Sequence, residues 1–390
     1  MASPFNIRWG IMATGWIAEE FVHDLLIDSS LRGAGDISHT VVAVASSSSI
    51  TKAEEFITRY KIPSPCAAYG SYEELVKDPN VDVVYIATPH SHHFQNTMLA
   101  LEAGKHVLCE KPFTVNVKQA EILVETAKRK KLFLMEAVWT RFFPVSVQIR
   151  EAIRQGEIGD VVRVIADTSA GAGDDVEKRW GVKHRMVNMD LAGGALLDLG
   201  IYSLTWVFQA LYHTLPISER QPPSSINAHV IKYPQTGADE STSVILEFPR
   251  STPSGKYKAH GVALTSLRVN VNPDGKFSAG PAIRIQGTKG EIQVIGHAYH
   301  PDGFRIIPRK IPGEPEKPIR EVLGEFPGNG KGMYWEADEV ARCVRDGKLE
   351  SNTMSWEETL VIMRVMDEVR RQNGLVYPEK IESTKYPLKL

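Results

Sequence analysis

The chain has 390 residues, 43% of them apolar and 24% charged, which is an ordinary globular composition and enough for two domains. Its formal charge of −2 provides no cationic field, so we expect no nucleic-acid partner and no membrane partner. The three cysteines form no CxxC pair, and the first residues lack the basic and apolar regions of a signal peptide. Together these features predict a cytoplasmic protein without disulfides.

The first 144 residues alternate apolar strands with amphipathic helices. Strands joined by helical connections of about a dozen or more residues pair in parallel, with the helices as crossovers. The pattern therefore predicts a Rossmann-type dinucleotide-binding domain over residues 1–144. The predicted strands are Ile7–Met12, Thr40–Ala45, Val81–Ala87, His106–Cys109 and Leu132–Met135, and the predicted helices begin at Trp16 or cover Asn96–Ala103 and Val117–Lys130.

Beyond Pro144 the pattern changes to short alternating strands joined by Gly, Pro and Asn turns. It predicts an α+β domain over residues 145–390, built on an open, mostly antiparallel sheet, and so an α/β chain of two domains. The stretch Pro308–Gly332 is interpreted as a surface loop. The predicted strands are Val161–Thr168, Ile226–Lys232, Ser243–Phe248, Ala263–Val271, Ile283–Gln286 and Glu291–Ile295, and the predicted helices are Leu196–Leu211, Tyr334–Arg345 and Glu357–Arg371.

The turn after the first strand is similar to a dinucleotide fingerprint. Ala13 and Ala18 stand where the fingerprint has its first and third glycines, and Gly15 is retained. A glycine there lets the backbone approach a pyrophosphate at the amino end of the next helix. An ordinary tight turn would also explain the sequence. The surrounding strands and helices favour dinucleotide binding, by Ala13, Thr14, Gly15, Trp16 and Ile17.

The end of the second strand distinguishes NAD from NADP. An NAD enzyme normally has Asp or Glu there, whereas this chain has Ser46, Ser47 and Ser48, followed by Lys52. Hydroxyl groups and an ammonium can hold a 2′-phosphate, and no carboxylate in this segment repels it. The alternative is a polar, solvated turn. The charge pattern favours NADP as the cofactor.

Three longer motifs resemble the Gfo/Idh/MocA oxidoreductase family. They are T-P-H-S-H-H at 88–93, A-G-K-H-V-L-C-E-K-P at 103–112 and G-G-A-L-L-D-L-G-I-Y at 193–202. M-E-A-V-W-T-R-F-F-P at 135–144 and G-T-K-G at 287–290 are similar to the branch of dimeric dihydrodiol dehydrogenases and fungal NADP-dependent D-xylose 1-dehydrogenases. The likeness extends from about Arg8 to Leu360.

The resemblance implies that Lys111 of the E-K-P motif lies beside the nicotinamide. This position follows the carboxyl end of a parallel strand, where ligands bind in such sheets. The family often has a cis peptide before the next residue, Pro112. The alternative is a surface lysine in a loop. On the same basis we expect the cofactor to contact Thr88, Pro89, His90, His93 and Glu110.

The resemblance also implies catalytic roles for Asp198 and Tyr202. Their spacing of four puts them on one face of a helix, where both could reach the same pocket. A free phenol, with a pKa of about 10, is a poor base at neutral pH, but a nearby ammonium such as Lys111 favours the phenolate. The alternatives are a helix N-terminal acid for Asp198 and a core aromatic for Tyr202.

Other candidate residues follow the last Rossmann strand or cluster near the second motif. Trp139, Arg141 and Phe143 could form the wall of the substrate pocket, although two of them could be interdomain core. The histidines at 90, 92 and 93 suggest a metal, but no spaced carboxylate or cysteine accompanies them and family members need none, so we predict no metal.

These features predict hydride transfer from C1 of an aldose, with D-xylose the best candidate, to NADP. Tyr202 would accept the hydroxyl proton, Lys111 would stabilise the phenolate, and the product would be a lactone. The alternatives are a trans-dihydrodiol dehydrogenase acting on cyclic diols and a non-catalytic NADP sensor or co-repressor of the same fold. An open sheet must bury one of its faces, and the branch that the sequence resembles uses that face to form dimers. We therefore also expect a homodimer through strands between Ile226 and Ile295.

Overall fold

A computed structural model describes residues 3–171, 176–252 and 255–390. They form two compact units, and the chain enters the first of them three times. The first unit contains Met1–Phe142, Phe326–Leu360 and Glu379–Leu390, and the second contains Phe143–Glu325 and Val361–Pro378. The predicted division into 1–144 and 145–390 is therefore wrong for the C-terminal residues, because two segments after residue 325 return to the first unit.

The first unit is built on a six-stranded sheet in the order β3-β2-β1-β4-β5-β6. Every neighbouring pair in this sheet is parallel, as predicted. A parallel sheet covered on both faces needs strands that are apolar throughout, and Val83–Ile86 is buried at every residue. The strands are β1 Phe5–Met12, β2 Ile37–Ala45, β3 Ala67–Tyr69, β4 Val83–Ile86, β5 His106–Glu110 and β6 Leu134–Ala137.

The helices of both units are amphipathic or buried, and several of those in the first unit start at a side-chain cap. Ser49, Ser71 and Asn116 each accept a backbone N–H of the helix that follows. The helices are α1 Trp16–Leu25, α2 Ile50–Arg59, α3 Tyr72–Lys77, α4 His93–Glu102, α5 Val117–Lys130, α6 Pro144–Arg154, α7 Val176–Trp180, α8 Ile201–Phe208, α9 Tyr334–Arg345, α10 Trp356–Gln372 and α11 Glu379–Glu382.

A buried polar network attaches the returning helix α9 to the first unit. Asp338 accepts two hydrogen bonds from Arg32, each 2.8 Å long, and contacts Nε2 of His39 at 2.9 Å. Trp9 donates its indole N–H to Nδ1 of His39, so the neutral ring carries its proton on Nε2 and donates it to Asp338. These partners are about 300 residues apart in sequence, which is why the sequence did not reveal the return.

The second unit is built on an eight-stranded sheet in the order β14-β13-β12-β11-β7-β10-β9-β8. Its neighbours are antiparallel except β7 and β10, which are parallel. The predicted fold class is therefore confirmed. The strands are β7 Val161–Asp167, β8 Ser225–Lys232, β9 Asp239–Thr252, β10 Gly255–Ser266, β11 Ile283–Gly287, β12 Gly290–His297, β13 His300–Pro308 and β14 Arg320–Leu323.

Two predicted elements of this unit differ from the structure. The strand predicted over Ala263–Val271 is β10, which begins at Gly255 and ends at Ser266. The predicted loop Pro308–Gly332 contains β14, and β13 precedes it. Pro301 and Gly303 interrupt the apolar alternation of β13, because neither residue favours a strand interior.

A long helix lies in the core of the second unit. We call it the central helix: α8, extended by the π-helical turns Leu196–Gly200 and Gln209–His213. It matches the predicted helix Leu196–Leu211. Within the described ranges, one helical stretch, Met189–His213, is long and apolar enough to cross a membrane. Because that stretch is mostly buried in the protein, as a core helix is, it gives only weak evidence of a membrane span.

Candidate functional site

The turn between β1 and α1 has the backbone of a dinucleotide-binding loop. Ala13 adopts a φ of 94°, a conformation that glycine adopts without strain, and its amide donates to the carbonyl of Ala45. The predicted degenerate fingerprint therefore keeps the glycine-like geometry with an alanine. Trp16, the first residue of α1, is 64% exposed.

Gly15 caps α1 and leaves space above the turn. Its φ of −86° is open to any residue, and a side chain added there would meet no protein atom within 4 Å. Neither conformation nor packing within the chain therefore requires glycine at this position. No side chain caps the helix, so its first amides are available to an anion. The turn thus fits the pyrophosphate of a dinucleotide.

The serines after β2 and Lys52 lie at the amino end of α2. The Ser46 hydroxyl contacts the Ser48 hydroxyl at 3.3 Å. The exposed ammonium of Lys52 lines a cavity of about 270 Å³ together with Thr14. The structure therefore brings together residues predicted from the first and second strand ends.

Sequence reasoning missed three further residues of this cavity: Glu55, Phe56 and Arg59. With Lys52 they are spaced i, i+3, i+4 and i+7, which places all four on one face of α2. That spacing was visible in the sequence. Arg59 adds a second cation, only weakly paired with Glu19 at 3.8 Å. Glu55 adds a carboxylate to the cavity. It follows the segment of the serines and Lys52, in which the sequence has no acidic residue.

His93 joins the loops that follow β4 and β5. Its Nδ1 lies 2.8 Å from the carbonyl oxygen of Pro112, and its Nε2 lies 2.9 Å from that of Thr88. The side chain is fully buried, and burial lowers its pKa to about 3. We expected His93 to contact the cofactor, but each ring nitrogen faces a backbone carbonyl, and the neutral ring donates its single N–H to one of the two. Its role in the first unit is to hold the two loops together.

Lys111 begins immediately after β5, as predicted, and the Lys111–Pro112 peptide is cis. The Lys111 amide donates to one carboxylate oxygen of Glu110 at 3.1 Å, and the Tyr85 hydroxyl donates to the other at 2.5 Å. Glu110 is buried, so these bonds fix the backbone from which the Lys111 side chain extends. Glu110 therefore supports Lys111 through the backbone.

A second buried carboxyl group, Glu136 at the end of β6, lies under the same loop. It accepts the Phe113 amide at 3.0 Å and the Thr359 hydroxyl at 2.9 Å. Burial raises its pKa to about 7. Sequence reasoning missed Glu136, because nothing in the sequence shows that the loop after Lys111 packs on it.

Arg141 and Phe143 are core residues, which fits the alternative that two of the three candidates after the last Rossmann strand are core; contact of either with substrate stays a prediction. Arg141 is completely buried and donates to the Glu358 carboxylate at 2.5 Å and to the Thr353 carbonyl at 2.6 Å. Phe143 is also completely buried, with its ring edge-on to that of His300 at 5.6 Å. Trp139 is half-buried in a short 3₁₀ turn, where it still has an accessible surface.

Asp198 and Tyr202 lie in the central helix of the second unit, at the junction between its first π-helical turn and α8. Asp198 is buried and accepts a hydrogen bond of 2.9 Å from Arg185, whose side chain is 45% exposed. Tyr202 is 6% exposed. A π-helical turn is rare and frequently marks a functional segment. The half-exposed ion pair with Arg185 gives Asp198 a partner that a simple helix-end acid does not need, whereas the burial of Tyr202 is equally that of a core aromatic, so its catalytic role stays a prediction.

Aromatic rings continue from Tyr202 along the turn between β12 and β13. The Tyr299 ring lies 6.0 Å from that of Tyr202, and His297 stacks on Tyr299 at 5.0 Å with an angle of 9°. Half-exposed aromatic faces of this kind suit the apolar face of a sugar or a cyclic diol. Sequence reasoning missed Arg185 and Tyr299, because single residues in a loop and a turn carry no periodic pattern.

No three His, Cys, Asp or Glu side chains are grouped to hold a metal ion in the described part of the chain. None of the three cysteines is bonded to another; Cys109 and Cys343 are buried and Cys66 is half-buried.

Three features together define a dinucleotide-binding protein. They are the parallel sheet in this strand order, the β1–α1 turn with its uncapped helix amides, and the cavity beside α2 that Lys52 and Arg59 line. Residues 7–138 match the oxidoreductase family with an NAD-binding Rossmann fold, and residues 146–293 match the GFO/IDH/MocA C-terminal domain. The chain belongs to the Gfo/Idh/MocA oxidoreductase family, as the sequence motifs predicted.

Curated relatives match nearly the whole chain. The D-xylose 1-dehydrogenase (NADP(+)) of Hypocrea jecorina is 54% identical over 388 residues, covering 98% of this chain and 96% of the relative. The trans-1,2-dihydrobenzene-1,2-diol dehydrogenase of Danio rerio is 36% identical over 376 residues, covering 96% and 98%.

Solved structures agree with this fold. An NAD-binding oxidoreductase from Klebsiella pneumoniae superposes with a TM-score of 0.75 at 20% identity, covering 94% of this chain and 96% of that chain. The aldose-aldose oxidoreductase from Caulobacter crescentus, complexed with glycerol, has a TM-score of 0.70 at 23% identity, covering 94% and 97%.

Proposed function

We propose that this protein is an NADP-dependent dehydrogenase that oxidises C1 of D-xylose to the lactone. The observation that carries the proposal is the 54% identity, over nearly the full length of both chains, to an NADP-dependent D-xylose 1-dehydrogenase. The candidate catalytic residues Lys111, Asp198 and Tyr202 are all present in their motifs. The open turn at Gly15 and the cations Lys52 and Arg59 suit the pyrophosphate and the 2′-phosphate of NADP.

The chemistry divides between the cofactor and the protein. NADP, held at the Gly15 turn and by Lys52 and Arg59, would supply the hydride acceptor for C1 of the sugar. Tyr202 takes the proton of the C1 hydroxyl, so that the C1–H bond breaks as the lactone carbonyl forms. Lys111 favours the ionised phenol by its positive charge. Asp198, held by Arg185, is suited to bind a sugar hydroxyl group.

The experiment that tests the proposal is an absorbance screen for NADPH formation with the purified protein. The panel contains D-xylose, other aldoses and a trans-dihydrodiol of an aromatic ring. We expect NADPH with D-xylose at a higher kcat/KM than with any diol. A clear preference for the diol would favour the second candidate function, dihydrodiol dehydrogenase, which the 36% identity to such enzymes supports. No turnover of any substrate would favour a non-catalytic NADP sensor.

Cofactor preference can be tested at Ser47. A carboxylate at this position would repel a 2′-phosphate and accept the free 2′-hydroxyl of NAD. We expect Ser47→Asp to shift the preference toward NAD by about 1 to 3 kcal/mol, measured as the ratio of kcat/KM for the two cofactors. Thr58→Asp adds the same charge to α2 outside the cavity and should leave the ratio unchanged. A wild-type protein that uses NAD as efficiently as NADP would overturn the assignment.

We further propose that the protein is a homodimer, joined through the outer face of the eight-stranded sheet. Ile245, Val262 and Ile165 are paired across β9, β10 and β7 and form a continuous apolar strip. Ile245 is 48% exposed, whereas its neighbours Val244 and Leu246 are buried. An apolar strip across three strands is typical of an interface between copies. A cytoplasmic location and the absence of nucleic-acid or membrane partners remain predictions from charge and composition.

The dimer predicts a specific effect at Ile245. Ile245→Glu would place a charge within the apolar interface, so the protein should become monomeric at micromolar concentration, as measured by light scattering. Ile217→Glu changes an equally apolar residue that is 76% exposed outside the sheet, and it should leave the mass unchanged. A monomeric wild-type protein at this concentration would refute the homodimer.

A further inference from the structure

A carboxylate from a distant part of the chain caps the central helix. Asp239, the first residue of β9, accepts the Leu196 amide through Oδ2 at 2.5 Å. Leu196 begins the helix, and the preceding residue, Ala195, has no side chain that could cap it. The Thr242 hydroxyl donates to the same oxygen at 3.1 Å. The usual local cap is therefore replaced by one that lies 43 residues away in sequence.

The other oxygen of this carboxyl group is costly to bury. Asp239 is completely buried, and its Oδ1 has no hydrogen-bond partner in the ranges that the structure describes. A buried polar atom without a partner costs about 1 to 3 kcal/mol. Burial also raises the pKa of Asp239 to about 7. These costs indicate that Asp239 has a role that compensates for them. The hydrogen bond that its Oδ2 accepts from the Leu196 amide is that role.

Gly194 shows how closely the loop before the helix fits the carboxyl group. Gly194 has a φ of 134°, and any side chain added there would collide with Oδ1 of Asp239. The second glycine of the G-G-A-L-L-D motif therefore leaves room for Asp239. This packing explains a part of the motif to which substrate chemistry gives no role.

The capped turn carries the candidate catalytic side chains. Asp198 is the third residue of the helix that Leu196 begins, and Tyr202 follows one turn later. The first turn is π-helical, a geometry that is less favourable than the α-helix and needs support from its surroundings. A small change in where the helix starts would therefore move both side chains together.

We propose that Asp239 is a positioning residue for the reaction, which fixes the amino end of the central helix and so the placement of Asp198 and Tyr202. The inference rests on the proposed function in one respect, the role of Tyr202. A neutral and an ionised carboxyl group can each accept the Leu196 hydrogen bond, so the essential feature is an acceptor oxygen at this point.

The test compares three variants by thermal unfolding, steady-state kinetics and amide hydrogen exchange. Asp239→Ala removes the acceptor, Asp239→Asn keeps an acceptor oxygen, and Thr242→Val removes the other hydrogen bond to Oδ2 but leaves the cap in place. We expect Asp239→Ala to lower kcat by about tenfold to a hundredfold, because small misplacements of reacting groups have effects of this size. Its KM for NADP should stay unchanged. Amides of Leu196–Tyr202 should exchange at least about tenfold faster.

The remaining variants separate positioning from general stability. Thr242→Val should lower the unfolding temperature without lowering kcat and without faster amide exchange in Leu196–Tyr202. Asp239→Asn should keep kcat within about threefold of the wild type. A folded Asp239→Ala with wild-type kcat would overturn the proposal, and so would an equal loss of kcat in Thr242→Val. If Asp239→Ala does not fold, a tenfold loss in folded Asp239→Asn would overturn it. If the wild type has no activity, the proposed function fails, and hydrogen exchange still tests the anchoring of the helix.

Discussion

Tyr202→Phe is expected to lower turnover of D-xylose by about a hundredfold or more while folding and NADP binding survive. Phenylalanine keeps the ring, which is only 6% exposed and contacts Tyr299, but removes the oxygen that accepts the proton. Thermal unfolding and NADP titration measure the retained properties, and single-turnover kinetics measure the lost step. Tyr212→Phe removes a hydroxyl from the same central helix and should have little effect on turnover.

Lys111→Met should also cause turnover to collapse, and the double variant should be little worse than either single one. Groups that act as one unit lose their contribution together, so their effects do not add. Wild-type activity should rise with pH through one ionisation. Lys111→Met should move this rising part of the pH–activity profile to higher pH, because the positive charge that favours the phenolate is gone.

A different result would redirect the search for the base. If Tyr202→Phe keeps near-wild-type turnover and an unmoved pH–activity profile, Tyr202 does not accept the proton. Asp198 would then be the next candidate, because His93 is buried and both of its ring nitrogens contact backbone carbonyls.

Arg141→Met is expected to destabilise the protein by about 3 to 5 kcal/mol, because it leaves the Glu358 carboxylate buried without its cation. Both side chains of this pair are completely buried. Urea unfolding followed by tryptophan fluorescence measures the loss. Arg371→Met, which breaks an exposed pair with Glu368, should leave the midpoint almost unchanged.

The outcome at Arg141 separates a core role from a substrate role. A core role predicts a lower unfolding midpoint with KM for D-xylose unchanged in the folded variant. Wild-type stability with a raised KM would instead support the prediction that Arg141 contacts the substrate.

The sequence could predict those parts of the fold in which local patterns repeat. The apolar runs of β1, β4 and β5 and the periodic faces of α5 and α9 give clear signals, and the E-K-P motif marks the position of Lys111. The return of α9 to the first unit could not be predicted, because it depends on contacts such as Arg32 with Asp338. Such pairs have no signature in local sequence.

The candidate site shows the same division. The family motif pointed to Asp198 and Tyr202, their spacing placed them on one helix, and charge pointed to the serines and Lys52 after β2. Burial was the information that the sequence lacked. His93 has the chemistry of a ligand-binding residue, but in the folded chain its ring nitrogens contact backbone groups. Asp239 showed no signal at all, because its partner, the Leu196 amide, is a backbone group.

The most direct test of the central claim uses D-xylose deuterated at C1. The purified protein is incubated with this sugar and NADP, and the NADPH and the sugar product are analysed by mass spectrometry and NMR. The account predicts one deuterium in each NADPH, an equal amount of lactone, and slower turnover than with unlabelled D-xylose. NADPH without deuterium, or no NADPH with any pentose, would contradict it.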